Sequence, residues 1–227
     1  MKILMVLTNV SQYGNNSEST GLWLGEATEF IREFQGSHCE IEYASPKGGV
    51  VPLDRRSLKM ADKDSLDWLN KDDDFSKALA NSKSLKEVMT NKYDLIYFTG
   101  GHGTMWDFYD NSDIESLVIN NYNQGAYIAS VCHGIAALLT IKHNTSEYLI
   151  NNKRITGFTD TEEILSGKKF KVPFSNERIA KFNGAIFVKK RFFKSHVVVD
   201  GQLITGQNPY SVVALAKVCK KTLGLRN

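Results

Sequence analysis

The stretch Ala126-Tyr127-Ile128-Ala129-Ser130-Val131-Cys132-His133-Gly134-Ile135-Ala136-Ala137 decides how the chain is read. An apolar strand over Ala126–Val131 runs straight into Cys132, and a small-residue helix over Ile135–Thr140 follows at once, which leaves room only for a tight turn. Ser130 and Gly134 keep the flanking backbone small, as a nucleophile elbow requires. Such a turn projects its side chain from the C-terminal end of a strand, where open α/β sheets bind ligands. The N-terminus of the following helix favours a thiolate over a thiol. A free cysteine titrates near ~8.5, and sites of this kind bring it to roughly 3.5–7.5. A lone cysteine in an apolar run is also a common core residue. The local sequence leaves both readings open.

Outward from this segment, strands and helices alternate. Lys2–Leu7 reads as a buried strand, Leu24–Phe34 as a helix and Cys39–Ala44 as a second strand; then come strand Leu95–Thr99 and helix Ile114–Gln124. This is βαβ grammar, and it predicts a parallel sheet covered on both faces. Residues 54–91 break the pattern with polar helical segments at Leu66–Leu69 and Phe75–Leu79 around the acidic run Asp72-Asp73-Asp74. We read them as an insertion, either capping the active edge of the sheet or standing as a solvated helical hairpin. Past Lys153 the chain predicts strand Ile155–Phe158, a basic stretch from Lys168 to Lys194, strand His196–Val199, a turn at Asp200-Gly201, strand Leu203–Thr205 and a closing helix Ser211–Leu223. The basic stretch, with Lys189-Lys190-Arg191 and Phe192-Phe193, reads as a solvated face or an interface edge.

Composition bounds the function. The chain has 227 residues, 42% apolar and 23% charged, which suits one elaborated globular domain over 1–227 and excludes disordered, collagenous and membrane-spanning classes. A net charge of +3 with scattered lysines implies neither nucleic acid nor an anionic membrane as partner. The run Met1–Leu7 is too short for a signal peptide and lacks a cleavage site. Cys39, Cys132 and Cys219 lie far apart without metal-like spacing, which fits a reducing cytoplasm.

Other candidates cluster around the elbow. Tyr97-Phe98-Thr99-Gly100-Gly101-His102-Gly103 ends another strand in glycines, letting backbone N–H groups approach a developing oxyanion. The backbone N–H of His133 is placed to join them, while its ring can pair with an acid. Glu26 and the pair Glu162-Glu163 are the acidic candidates, each with an alternative reading as a solvated helix carboxylate. Cys39 and Cys219 read as packing residues.

Taken in order, Glu26, Ala44–Gly49, Gly100–Asp107, Val131–Gly134, Gly157–Asp160 and Leu203–Pro209 resemble the ThiJ/PfpI superfamily, specifically its chaperone and glutathione-independent glyoxalase III branch, which is similar to class I glutamine amidotransferases. The resemblance implies a flavodoxin-like three-layer sandwich with a mostly parallel sheet and a small helical insertion. It implies Cys132 as nucleophile, His133 as its partner, and Glu163 rather than Glu162 as the acid that orients His133. Glu26 would exchange protons at the sulfur, with Gly101, His102 and Gly103 on the oxyanion and substrate side. No metal or cofactor is implied. The expected substrate is a small 2-oxoaldehyde, with methylglyoxal converted to lactate; the expected assembly is a homodimer. A holding chaperone for misfolded proteins, a deglycase for glycated proteins and an amidase are the alternatives. A glutamine amidotransferase is disfavoured because no His-x-Glu pair follows Cys132: His143 precedes Asn144-Thr145, and His196 precedes Val197-Val198. Where the family often carries His-Pro three residues after the helix glutamate, this chain has Glu29-Phe30, and if that histidine serves substrate selection or subunit contact, either is expected to differ here.

Overall fold

The structure is a computed structural model that describes residues 1–71, 73–143 and 147–225. Asp72 of the acidic run, and Asn144 and Thr145 after His143, lie outside the described residues. In chain order the strands are β1 (Lys2–Val6), β2 (Glu40–Ser45), β3 (Lys47–Gly49), β4 (Ser82–Ser84), β5 (Leu95–Phe98), β6 (Tyr127–Val131), β7 (Arg154–Ile155), β8 (Ile186–Phe187), β9 (Val197–Asp200) and β10 (Leu203–Gly206). Eight of them form one sheet in the order β3-β4-β2-β1-β5-β6-β10-β9, parallel from β4 to β10, with β3 and β9 antiparallel at the two edges.

The apolar run of β1 divides by parity. Leu4 and Val6 face one core with Ile96, Phe98 and Ile128, beneath the helix Ser112–Tyr122; Ile3 and Met5 face the other with Leu95, Tyr97 and Ala129, beneath the helices Leu24–Phe34 and Val212–Thr222. A strand covered on both faces has no polar side, so a continuous apolar run is what such a strand needs. Each fully buried aliphatic or phenyl side chain contributes roughly 1.5–3 kcal/mol. The result is the mostly parallel, helix-flanked sandwich that the alternation predicts.

Three expectations need correction. The helix after Cys132 is not α-helical: Cys132–Leu138 is a 3-10 helix that begins at the cysteine itself. Gly134 lies so close to strand β5 that a Cβ there would stand 2.5 Å from the carbonyl oxygens of both Phe98 and Thr99, and the turn is tightened against the sheet.

Residues 54–91 are not a purely helical insertion. Helices Arg55–Met60, Lys63–Trp68 and Asp74–Asn81 are capped by the side chains of Asp54, Asp62 and Asp73. Ser82–Ser84 then enters the main sheet between β3 and β2, and Leu85 and Val88 join the core. Three polar residues make this strand, so backbone pairing rather than apolar periodicity defines it.

Of Ile155–Phe158 only Ile155 is strand, as the end of β7, which pairs with β8 off the main sheet. The segment beyond it crosses the elbow, where Phe158 N–H donates to the Cys132 carbonyl at 3.1 Å. The basic stretch stays at the surface as a solvated face, with Lys190, Arg191 and Lys194 exposed. Lys168 and Lys171 pair with Glu18, and Lys181 and Lys189 pair with Glu177. Among the described residues, no helix is long and apolar enough to cross a membrane.

Candidate active site

Cys132 takes a left-handed backbone, φ +56°, between the end of β6 and the 3-10 turn. A non-glycine residue adopts this conformation at a cost of order 1–3 kcal/mol, which the surrounding structure has to offset. The twist turns the side chain off the sheet end toward two groups, the ring of His133 and the carboxyl of Glu26.

His133 Nδ1 lies 3.2 Å from Cys132 Sγ, and His133 Nε2 lies 2.8 Å from Glu163 Oε2. The ring therefore bridges sulfur and carboxylate. Glu163 reaches it because Thr159 caps the helix Asp160–Leu165 and Glu162 folds back to complete a capping box. Glu162 also accepts from Phe193 N–H, Gln207 Nε2 and Asn208 Nδ2, which fixes it as a buried acceptor for the surrounding loops. The next residue, one helical step around, is left to face the histidines.

Glu163 serves two rings. Its Oε1 lies 2.8 Å from His102 Nε2, and His102 Nδ1 lies 3.1 Å from Arg56 Nη2. The two imidazoles pack with centroids 4.0 Å apart, and Phe158 covers His133 at 4.3 Å. Burial opposes the charge on Glu163, but the two histidines outweigh it and hold the carboxyl well below the usual carboxylate range. His102 is pushed down to about 4 by burial and by the neighbouring His133, against the pull of Glu163.

Glu26 enters from the first turn of helix Leu24–Phe34 and is wholly buried. Its Oε2 accepts the backbone N–H of Gly100 at 2.5 Å, and its carboxyl lies beside the Cys132 thiol with Oε1 buried and without a hydrogen-bond partner. Burial pushes Glu26 up to about 8. The expectation of a helix-stabilised, ionised sulfur is corrected here. Burial first, and the nearby Glu26 carboxyl second, push the Cys132 thiol well above its ordinary value; the His133 backbone N–H pulls the other way and loses. Cys132 is 3% exposed, and in a dry site two adjacent anions are costly. Both groups rest protonated near neutral pH.

The sulfur forms the floor of a cleft of about 430 Å³ whose walls include Trp23, Arg56, Met60, Phe158, Phe193 and Tyr210. Gly101 lines it with a backbone at φ +102°, packed on Gly21 so closely that only glycine fits. His102 also lines the cleft, although its ring atoms are engaged by Glu163 and Arg56. Gly103 does not line it: its Cα faces Thr8 and Val10. Glu29 reaches the rim, where burial raises its carboxyl pKa. Arg56 and the aromatic walls were not signalled by the sequence, because they come from five separate segments. Cys219 is buried in the core and Cys39 is partly exposed, both away from the cleft.

His102, His133 and Glu163 bring one ligand-type atom each within 4.8 Å of one another. A cation among them would need both Nε2 lone pairs. Arg56 can only donate, so His102 Nδ1 accepts and its proton sits on Nε2, toward Glu163. The donor pattern is a hydrogen-bonded relay rather than a cation cage.

Residues 24–221 match the DJ-1/PfpI family. Glutathione-independent glyoxalase HSP31 of Saccharomyces cerevisiae is 33% identical over 226 residues, covering 95% of this chain and 94% of its own length. Glyoxalase 3 of Candida albicans is 30% identical over 231 residues, covering 96% of each. Among solved structures, the Rapid Encystment Protein 24 KDa of Francisella tularensis superposes with a TM-score of 0.94 at 38% identity, covering 98% of each chain. Glyoxalase III of Candida albicans superposes with a TM-score of 0.87 at 29% identity, covering 97% of this chain and 96% of its own.

Proposed function

The chain belongs to the DJ-1/PfpI family, and from that premise we propose that it is a glutathione-independent glyoxalase acting on small 2-oxoaldehydes such as methylglyoxal, with lactate as product. The observation that carries the reading is a single thiol held between an acid and a carboxylate-backed imidazole.

Each step follows from that placement. His133 Nδ1 takes the thiol proton, and Glu163 balances the imidazolium through Nε2–H. The sulfur adds to the aldehyde carbon, and the oxygen that becomes negative is met by backbone N–H groups of Gly101 and His133. Glu26, protonated at rest, gives its proton to that oxygen; now a carboxylate, it moves the proton of the former aldehyde carbon to the adjacent carbonyl carbon by way of an enediol, while His133 shuttles the matching proton between the two oxygens, and the adduct becomes a thioester. A carboxyl pKa raised to about 8 suits this part, because the group must both give and receive a proton near neutrality. Water hydrolyses the thioester, releasing lactate and restoring the thiol. The cleft supplies the low-water surroundings in which these charges act strongly.

The test is lactate formation from methylglyoxal by the wild type and by Cys132→Ala and Glu26→Gln. Turnover in the wild type and its loss in both variants are expected; no wild-type turnover removes the reading. A second reading, a holding surface for unfolded protein, is favoured by Phe170 and Phe182, which are 97% and 87% exposed. Aggregation suppression that persists in Cys132→Ala but falls on replacing both phenylalanines with serine supports that role as separate from turnover.

A further inference from the structure

We propose that Arg56 and His102 form a second limb of the site, as positioning residues that fix where the protons sit on Glu163 and, through it, on His133. The kinetic arm of this inference rests on the glyoxalase reading; the thiol-reactivity arm does not.

The argument is one of donors and acceptors. A guanidinium has no acceptor, so the 3.1 Å contact between Arg56 Nη2 and His102 Nδ1 requires a lone pair on Nδ1. The His102 proton is then on Nε2 and donates to Glu163 Oε1 at 2.8 Å. With Oε1 occupied and the carboxyl plane held, Oε2 accepts from His133 Nε2–H at 2.8 Å. That leaves the His133 Nδ1 lone pair facing the sulfur at 3.2 Å, the arrangement a base needs. In the opposite His102 tautomer, a lone pair would face a carboxylate oxygen and a ring N–H would face a cation.

Arg56 is itself held. Its Nε and Nη2 donate to the two oxygens of Asp54 at 3.1 and 2.7 Å, and Asp54 is wholly buried. Arg56 Nη2 also lies 2.5 Å from Tyr13 Oη, so its two N–H hydrogens are shared among Asp54, Tyr13 and His102, and the cation's charge as well as a hydrogen bond keeps a lone pair on His102 Nδ1. The positive charge beside His102 disfavours a second proton there, so the proton removed from Cys132 stays on His133. Asp54 and Arg56 open the 54–91 segment, which gives that segment a part in the chemistry beyond covering the sheet.

The experiment compares full-length wild type with His102→Leu, His102→Gln and Arg56→Met. Glutamine presents an N–H near the reach of Nε2 and a carbonyl oxygen for Arg56, so it can restore the pattern that leucine removes. The readouts are kcat and KM for methylglyoxal and the rate of Cys132 alkylation by iodoacetamide, followed by intact mass. His102→Leu and Arg56→Met are expected to lose about 10- to 100-fold in kcat and in alkylation rate with KM within about threefold, and His102→Gln to stay within about threefold of wild type. Wild-type rates in His102→Leu or Arg56→Met overturn the proposal. So does a His102→Gln variant as impaired as His102→Leu when its thermal unfolding matches the wild type. Should His102→Leu not fold, Arg56→Met decides. If the wild type turns over no 2-oxoaldehyde, the functional reading falls and the order of alkylation rates still decides this one.

Discussion

The backbone N–H of Gly100 donates to Glu26 Oε2 at 2.5 Å, and a Cβ at position 100 would collide with that oxygen while approaching the Cys132 Cβ to 3.0 Å. The glycine makes room for a carboxyl beside the sulfur. Its φ lies outside the left-handed region, so alanine is tolerated by the backbone and excluded by the neighbour. Gly100→Ala is therefore expected to push Glu26 off the thiol and lower kcat by about 100-fold or more, since displacements near 1 Å at a reacting centre have that effect. Steady-state kinetics with a circular-dichroism control checks it; near-normal kcat would remove Glu26 from the proton-transfer step.

Glu26 also makes stability depend on pH in a definite direction. Its pKa rises from 4.5 in the unfolded chain to about 8 in the fold, so between those values the native state holds a proton that the unfolded chain has lost. Stability from this group is fullest below about pH 4.5, falls as pH rises through the window, and the whole penalty is in place above about 8. Glu26→Gln lacks the titration. Its urea midpoint relative to wild type should climb from pH 5 to pH 8 and then level off; a constant difference across that range would mean Glu26 is ionised throughout.

Glu162 and Glu163 are adjacent, buried and unlike in what their loss should do. Glu163→Ala leaves two buried imidazole N–H groups without an acceptor and frees His133, so kcat is expected to fall by about 10²–10⁴-fold. Glu162→Ala strips the acceptor from Thr159, Phe193, Gln207 and Asn208, and is expected to cost on the order of 3 kcal/mol or more in folding stability. Denaturant titration and kinetics on the pair separate the two. The reverse pattern would assign the orienting role to Glu162.

Thiol labelling gives an independent check on the resting charge. With burial and Glu26 both holding Cys132 neutral, alkylation by iodoacetamide should be slow at pH 6 and remain slow through pH 8, since ionising Glu26 raises the thiol further. Cys219, buried in the core, should remain unlabelled in the native protein. Rapid labelling of Cys132 at pH 6 would contradict the neutral resting thiol.

The sheet was legible because β1, β5 and β6 are apolar on both faces, and that pattern has one common solution once helices lie between the strands. The two edge pieces Lys47–Gly49 and Ser82–Ser84 were not, because two or three glycines, serines and lysines carry no periodicity and pair only once the sheet exists. The elbow was legible from Cys132 and Gly134. Its ionisation was misread, since helix type and the depth of the sulfur depend on contacts from β5 and from the helix of Glu26. Choosing Glu163 rested on family resemblance. A local signal was available as well: Thr159-x-x-Glu162 is a capping box, and it commits Glu162 to the helix end. Arg56 lies 46 positions from His102, and no local pattern announces that meeting.

The left-handed backbone at Cys132 sets selection for robustness against selection for reactivity. Glycine is the residue this φ suits without strain, so a screen that rewards only heat tolerance or expression should enrich Cys132→Gly and deliver inert, hardier molecules. A lineage that keeps cysteine there has been held to it by the chemistry of sulfur.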